Sequence, residues 1–156
     1  MCAFQITSQC FNNNDTMPIN QVYNGYGAGG NNKSPQLSWT NAPAETKSFA
    51  IVCHDPDAPK QHGWYHWFLI NIPKSVTEIA EGGKIPGTKE LTTDFKKAGY
   101  GGAAPPKGHG KHHYNFTIYA LNCESLKISA SEPYQIENEI KKHAIANSTI
   151  TALYER

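Results

Sequence analysis

The segment His54-Asp55-Pro56-Asp57-Ala58-Pro59 sets two carboxylates two positions apart, directly after an apolar run. On an extended chain, residues i and i+2 point to the same side. Pro56 and Pro59 fix their own φ and hold the preceding residues extended, so both acids are presented stiffly. Acids held in this way can accept from an ammonium, a hydroxyl or an imidazole. Loops at strand ends are also where binding groups concentrate. The same residues equally suit a plain Asp-Pro turn, with the carboxylates capping backbone N–H groups.

A second group is His66, inside the aromatic run Trp64-Tyr65-His66-Trp67-Phe68-Leu69-Ile70-Asn71. Period-two geometry puts it on one face with Trp64, Phe68 and Ile70. It reads either as a core imidazole with one partner or as a site residue. A nearby Asp55 or Asp57 would raise its pKa. A third group follows a loop dense in glycine and proline, Gly99 to Gly110. Glycine N–H groups there suit an anion nest, and Pro105-Pro106 restricts the loop. His112 and Tyr114 then share a face, while His113 points away and His109 lies between glycines on the solvent side.

Asp55, Asp57, His66, His112 and Tyr114 can thus converge on a small polar pocket in an apolar frame. The fixed charges that can be placed there are acids. Affinity for an anion is therefore expected from loop N–H groups and a protonated His66 or His112. Asp57 and His66 also have the residue types for acid–base hydrolysis. No H-x-x-x-H or H-E-x-x-H spacing supports a metal, and no G-x-S-x-G elbow supports a serine nucleophile. The expectation is a binding module without metal or cofactor, with a hydrolase using Asp57 and His66 as the alternative.

These groups need strands to hold them. Ser48 to His54 is nearly continuous apolar and β-branched, the pattern of a central strand buried on both faces. Trp64 to Asn71 is a second strand, and Tyr114 to Leu121 alternates as a third with one more polar face. Pro35 to Trp39 has strand-like alternation, and Asn24 to Ser34 is loop. Ser75-Val76-Thr77-Glu78 reads as a capping box opening a short helix that Gly82 stops. A second helix starts at a Ser131 cap. Ile136, Ile140 and Ala144 share one of its faces, and Glu137 and Lys141 pair on another. With no long crossover helices, the strands are expected to be antiparallel.

The chain has 156 residues, enough for one domain with a real core and a folded surface of roughly 7,800 Å². Charged residues are 17% and the net charge is +1, which excludes a basic nucleic-acid binder and a charged disordered tail. Six of seven histidines lie between His54 and His113. No run of 18 apolar residues marks a membrane span, and Met1 to Gln5 is not the start of a secretory signal. Cys2, Cys10, Cys53 and Cys123 lack a disulfide or metal spacing, so reduced thiols in the cytoplasm are expected.

Taken together, the motifs resemble the phosphatidylethanolamine-binding protein family, also called the Raf kinase inhibitor protein family. The matching residues are Ser34-Pro35-x-Leu37-Ser38-Trp39, Asp55-Pro56-Asp57-Ala58-Pro59 and Tyr65-His66-Trp67, then Gly101-Gly102-x-x-Pro105-Pro106-x-Gly108 and His112-x-Tyr114. They span roughly residues 15 to 155 and look most like the bacterial and archaeal branch. The resemblance implies a mainly β fold, a β-sandwich of a large antiparallel sheet on a smaller one. Short helices flank it, with a C-terminal helix ending near Leu153-Tyr154. It implies a pocket for phosphate, phosphoethanolamine or carboxylate groups, formed by Asp55, Asp57, His66, Pro106, Gly108, His112 and Tyr114. It also implies homodimers, with inhibition of a protein kinase or serine protease as a role in which the pocket is regulatory. Where the family often has Asn-Asp-Phe, Pro-Cys and Arg, this chain has Thr93-Asp94-Phe95, Ala103-Ala104 and His113. The last change removes a fixed cation beside the pocket.

Overall fold

The computed structural model describes residues 2–156. Its strands are β1 (Gln5–Thr7), β2 (Asp15–Thr16), β3 (Leu37–Thr40), β4 (Ser48–Asp55), β5 (Trp64–Pro73), β6 (Glu78–Ile79), β7 (Lys89–Glu90), β8 (His112–Leu121) and β9 (Ala144–Tyr154); among the described residues there is one α-helix, α1 (Pro133–Lys142), and one 3-10 turn at Ile19–Gln21. A six-stranded sheet has the order β2-β9-β8-β4-β5-β7, and a three-stranded sheet has the order β1-β3-β6. Pairing is antiparallel except between β2 and β9. The expected two-sheet, mainly β architecture is what forms, and its accessible surface is 7854 Å².

The central strand β4 is buried on both faces, as its continuous apolar run requires. Phe49, Ile51 and Cys53 join Trp39, Trp67, Phe116 and Ile118 in the core toward the smaller sheet. Ala50 and Val52 join Phe68, Ile70, Leu121, Ile136 and Ile140 in a second core beneath α1. Among the described residues, no helix is long and apolar enough to cross a membrane, and the four cysteines are free.

Two breaks in the β4–β5 register matter for the site. Cys53 pairs with Trp67, but His54 pairs with Tyr65, so β5 carries one inserted residue there. This bulge overturns strict alternation. Phe68 and Ile70 lie beneath α1 with Tyr65, while Trp67 and Leu69 face the smaller sheet. His66 therefore does not share a face with Phe68 and Ile70; it lies edge-on to Tyr114 instead. The second break falls between Phe49 and Ile51, opposite Asn71, which has φ 63° and accepts the Leu126 N–H on its Oδ1 at 2.7 Å. Asn71→Ala should cost about 2 kcal/mol, since it loses the left-handed preference and strands an amide N–H. Asn71→Gly restores the backbone freedom and should cost about half as much, which denaturant midpoints will separate.

Four local expectations are corrected. Residues 75–82 form no helix: Glu78 and Ile79 pair with β3, and the Val76 carbonyl accepts the Trp39 indole N–H at 3.2 Å. A capping box alone lacks the apolar stripe that would hold a short helix. The α1 cap is Glu132 rather than Ser131, with Pro133 at the first turn. The helix ends at Lys142, and the segment expected to carry it to Tyr154 is the strand β9, with Ala144 at its start. Glu137 does not pair with Lys141. Its carboxylate accepts the Tyr65 and Tyr119 hydroxyls, each at 2.7 Å.

Candidate functional site

Because β4 runs antiparallel to both β5 and β8, its C-terminal end meets their N-terminal ends. Asp55 closes β4, Trp64 and His66 open β5, and His112 and Tyr114 open β8. Between them lies a cavity of about 210 Å³. Its walls include Asp55, His66, Pro106, His112 and Tyr114, together with Tyr26, Pro59, Lys60, Trp64, Phe95 and Pro105. That volume suits a small polar head group and lies below the usual range for drug-sized ligands.

Five of the seven sequence-predicted residues thus meet in one cavity. Asp57 and Gly108 do not line it. After Asp55 the chain turns instead of staying extended, and the Asp57 N–H donates to Asp55 Oδ1 at 2.8 Å. The Asp57 side chain faces His113, accepting its N–H and contacting its Nδ1, both at 2.8 Å. Burial raises the Asp57 pKa, but the His113 backbone and ring bonds outweigh it and leave the carboxyl below its ordinary value. Asp57 and His66 are therefore not brought together as an acid–base pair.

The glycine loop also differs from an open anion nest. The Gly101 N–H donates to the His66 carbonyl, Gly102 to Asn32 Oδ1, and Gly108 to the Arg156 carbonyl. These donors hold the loop in place and are not free for a ligand.

Asp55 and His112 are both buried, and Asp55 Oδ2 lies 2.6 Å from His112 Nδ1. His112 Nε2 in turn lies 2.6 Å from Nδ1 of the exposed His109. His66 Nδ1 lies 2.8 Å from the Gly101 carbonyl, an acceptor only, so that nitrogen carries the proton. Burial lowers the His66 pKa to about 4, against the opposing pull of the Gly101 carbonyl and Asp55. The expected rise is thus reversed: desolvation of a fully buried ring exceeds the attraction of the carboxylate. His66 is neutral near neutrality, and its Nε2 presents a lone pair. That Nε2 and the Trp64 Nε1–H are both buried without a hydrogen-bond partner among the described residues. Burial, and then the Asp55 charge, raise the Tyr114 pKa, so its hydroxyl stays protonated.

The rim is not purely acidic. Lys60 lines the cavity, pairs with Asp94 Oδ1 at 2.6 Å and sits 5.2 Å from the Trp64 ring centre. Asp94 also accepts the Tyr65 N–H at 2.7 Å, which fixes the start of β5. The aromatic mouth comes from distant segments: Phe95 stacks on Tyr23 with centroids 4.5 Å apart and stands edge-on to Trp64. Lys60, Phe95, Tyr26 and His109 escape sequence reasoning. Lys60 follows the Pro59 motif directly and Phe95 closes the Thr93-Asp94-Phe95 stretch, both usable signals; nothing local marks the other two. No cluster of three or more His, Cys, Asp or Glu among the described residues could hold a metal ion.

The comparisons with known proteins identify the family and the fold. The chain matches the profile described as phosphatidylethanolamine-binding protein over residues 7–155. It is 40% identical to Escherichia coli YbcL, covering 98% of this chain and 88% of that protein. It is 38% identical to Escherichia coli YbhB, covering 96% and 99%. The crystal structure of YbcL, described as a new member of the mammalian PEBP family, superposes with a TM-score of 0.94 over 99% of both chains. A homologue from Chlamydia trachomatis, CT736, gives 0.81 at 30% identity over 99% and 98%. The two-sheet fold, the cavity at its strand ends and these matches together place the chain in the phosphatidylethanolamine-binding protein family.

Proposed function

We propose that this chain is a binding protein whose cavity takes a small phosphoryl or carboxyl group in its monoprotonated form, a phosphoethanolamine head group among them. The observation that carries this reading is the orphaned His66 Nε2. A buried acceptor without a partner is costly, so the natural occupant brings a donor to it. A phosphate monoester monoanion does so with its P–OH. Its other oxygens then have the Trp64 indole N–H, the Tyr114 hydroxyl and the Lys60 ammonium within the same walls. An aromatic and proline-rich mouth suits the carbon substituent of such a ligand.

This assigns the pH dependence to the ligand. The second pKa of a phosphate monoester is about 6, so rising pH removes the P–OH that His66 needs. Affinity for O-phosphoethanolamine, read by calorimetry, should fall about tenfold between about pH 6 and 7.5. Sulfate, which carries no proton in that range, should bind weakly throughout. A flat profile for phosphoethanolamine, or sulfate bound equally well, would overturn the proposal.

A further inference from the structure

The exposed end of the Asp55–His112–His109 chain has an identity of its own. Asp55 accepts at both oxygens, from the Asp57 N–H and from His112. His112 Nδ1 therefore carries a proton; in the neutral ring its Nε2 is then the acceptor, and His109 donates to it from Nδ1. The His109 lone pair then lies on Nε2, on an exposed ring, with no partner for that nitrogen among the described residues. An acid, an oriented imidazole and a third group in hydrogen-bond contact is the arrangement that activates a nucleophile.

We infer that His109 is a nucleophilic imidazole that accepts a phosphoryl group on Nε2, with His112 and Asp55 as the proton acceptor behind it. Access is open. Gly108 and Gly110 flank His109 at φ 75° and 88°, and a Cβ at either would meet nothing within 4 Å. Exposed Lys107 and Lys111 flank those glycines and favour an anionic donor.

The donor class is an acyl phosphate or a phosphoramidate. With an acyl phosphate, the Nε2 lone pair attacks phosphorus and an N–P bond forms. The P–O bond to the acyl group breaks, and the carboxylate leaves with its electron pair. The ring cannot keep both substituents without a positive charge, so its Nδ1 proton passes to His112 Nε2. His112 becomes an imidazolium held by the Asp55 carboxylate. The product is a neutral-ring phosphohistidine that now accepts from His112. This inference does not rest on what fills the cavity.

The test is to incubate the protein with acetyl phosphate and locate acid-labile phosphoryl groups by mass spectrometry. The exposed His62 and His143 are references within the same molecule. His109 should label about a hundredfold faster than either, the lower end of what a positioned proton acceptor contributes. His109→Gln should abolish that fast labelling. His112→Asn, with its fold checked by circular dichroism, should slow His109 to the reference rate. Labelling of His109 no faster than His62 and His143, or fast labelling that survives in His112→Asn, would overturn the inference.

Discussion

Asp55→Ala should destabilise the protein by about 3–5 kcal/mol, the cost of leaving two buried hydrogen-bond donors, the His112 ring and the Asp57 N–H, without an acceptor. Asp55 and His112 side chains are 3% and 2% exposed, so water cannot replace the lost acceptor. Two groups lose their acceptor together: the His112 ring and the Asp57 N–H. For a chain of this size the loss corresponds to a fall in Tm of roughly 6–20 °C. Asp55→Asn should cost less, because an amide oxygen can still accept the Asp57 N–H. Thermal and denaturant unfolding of both variants measure this directly. An Asp55→Ala loss below about 1 kcal/mol, the level of an exposed pair, would mean that the Asp55–His112 contact does not organise the strand ends.

The parts of the site that could be read from sequence depend on local pattern. β4 declares itself by an unbroken apolar run, and His112 and Tyr114 by alternation into β8. Pro56 and Pro59 mark a rigid strand end, although Asp55 and Asp57 separate there because the chain turns between them. What sequence reasoning misses depends on insertions and distant approach. A single extra residue at His66 leaves composition unchanged yet moves the ring from the Phe68 face to the cavity. β9 and the failed helix at residues 75–82 show the same limit, since the partner strand decides extended or helical backbone. His109 looks like a solvent residue between two glycines. Its contact with His112 follows from how the loop folds back, not from any local signal. Lys60, Phe95 and Tyr26 are likewise assembled by packing across the chain.

His66 gives the second large effect, and its sign follows from burial. In the unfolded chain the imidazole has its ordinary pKa of 6.5, whereas in the folded protein burial holds it at about 4. Between those values the unfolded state binds a proton that the folded state refuses. Stability therefore falls as pH drops from about 6.5, and about 3 kcal/mol is lost by about pH 4. Above 6.5 neither state binds the proton and this contribution is fully retained. His66→Gln removes the titrating ring, so its loss over the same interval should be smaller by about that amount. Denaturant unfolding at about pH 7.5 and about pH 4 for both proteins compares the two losses directly. An equal drop in His66→Gln would place the acid sensitivity elsewhere and leave the neutral-ring assignment without support. The same neutrality bears on binding. Because the Nε2 lone pair persists at every pH well above 4, changes in affinity near neutrality reflect the ligand's proton rather than that of His66.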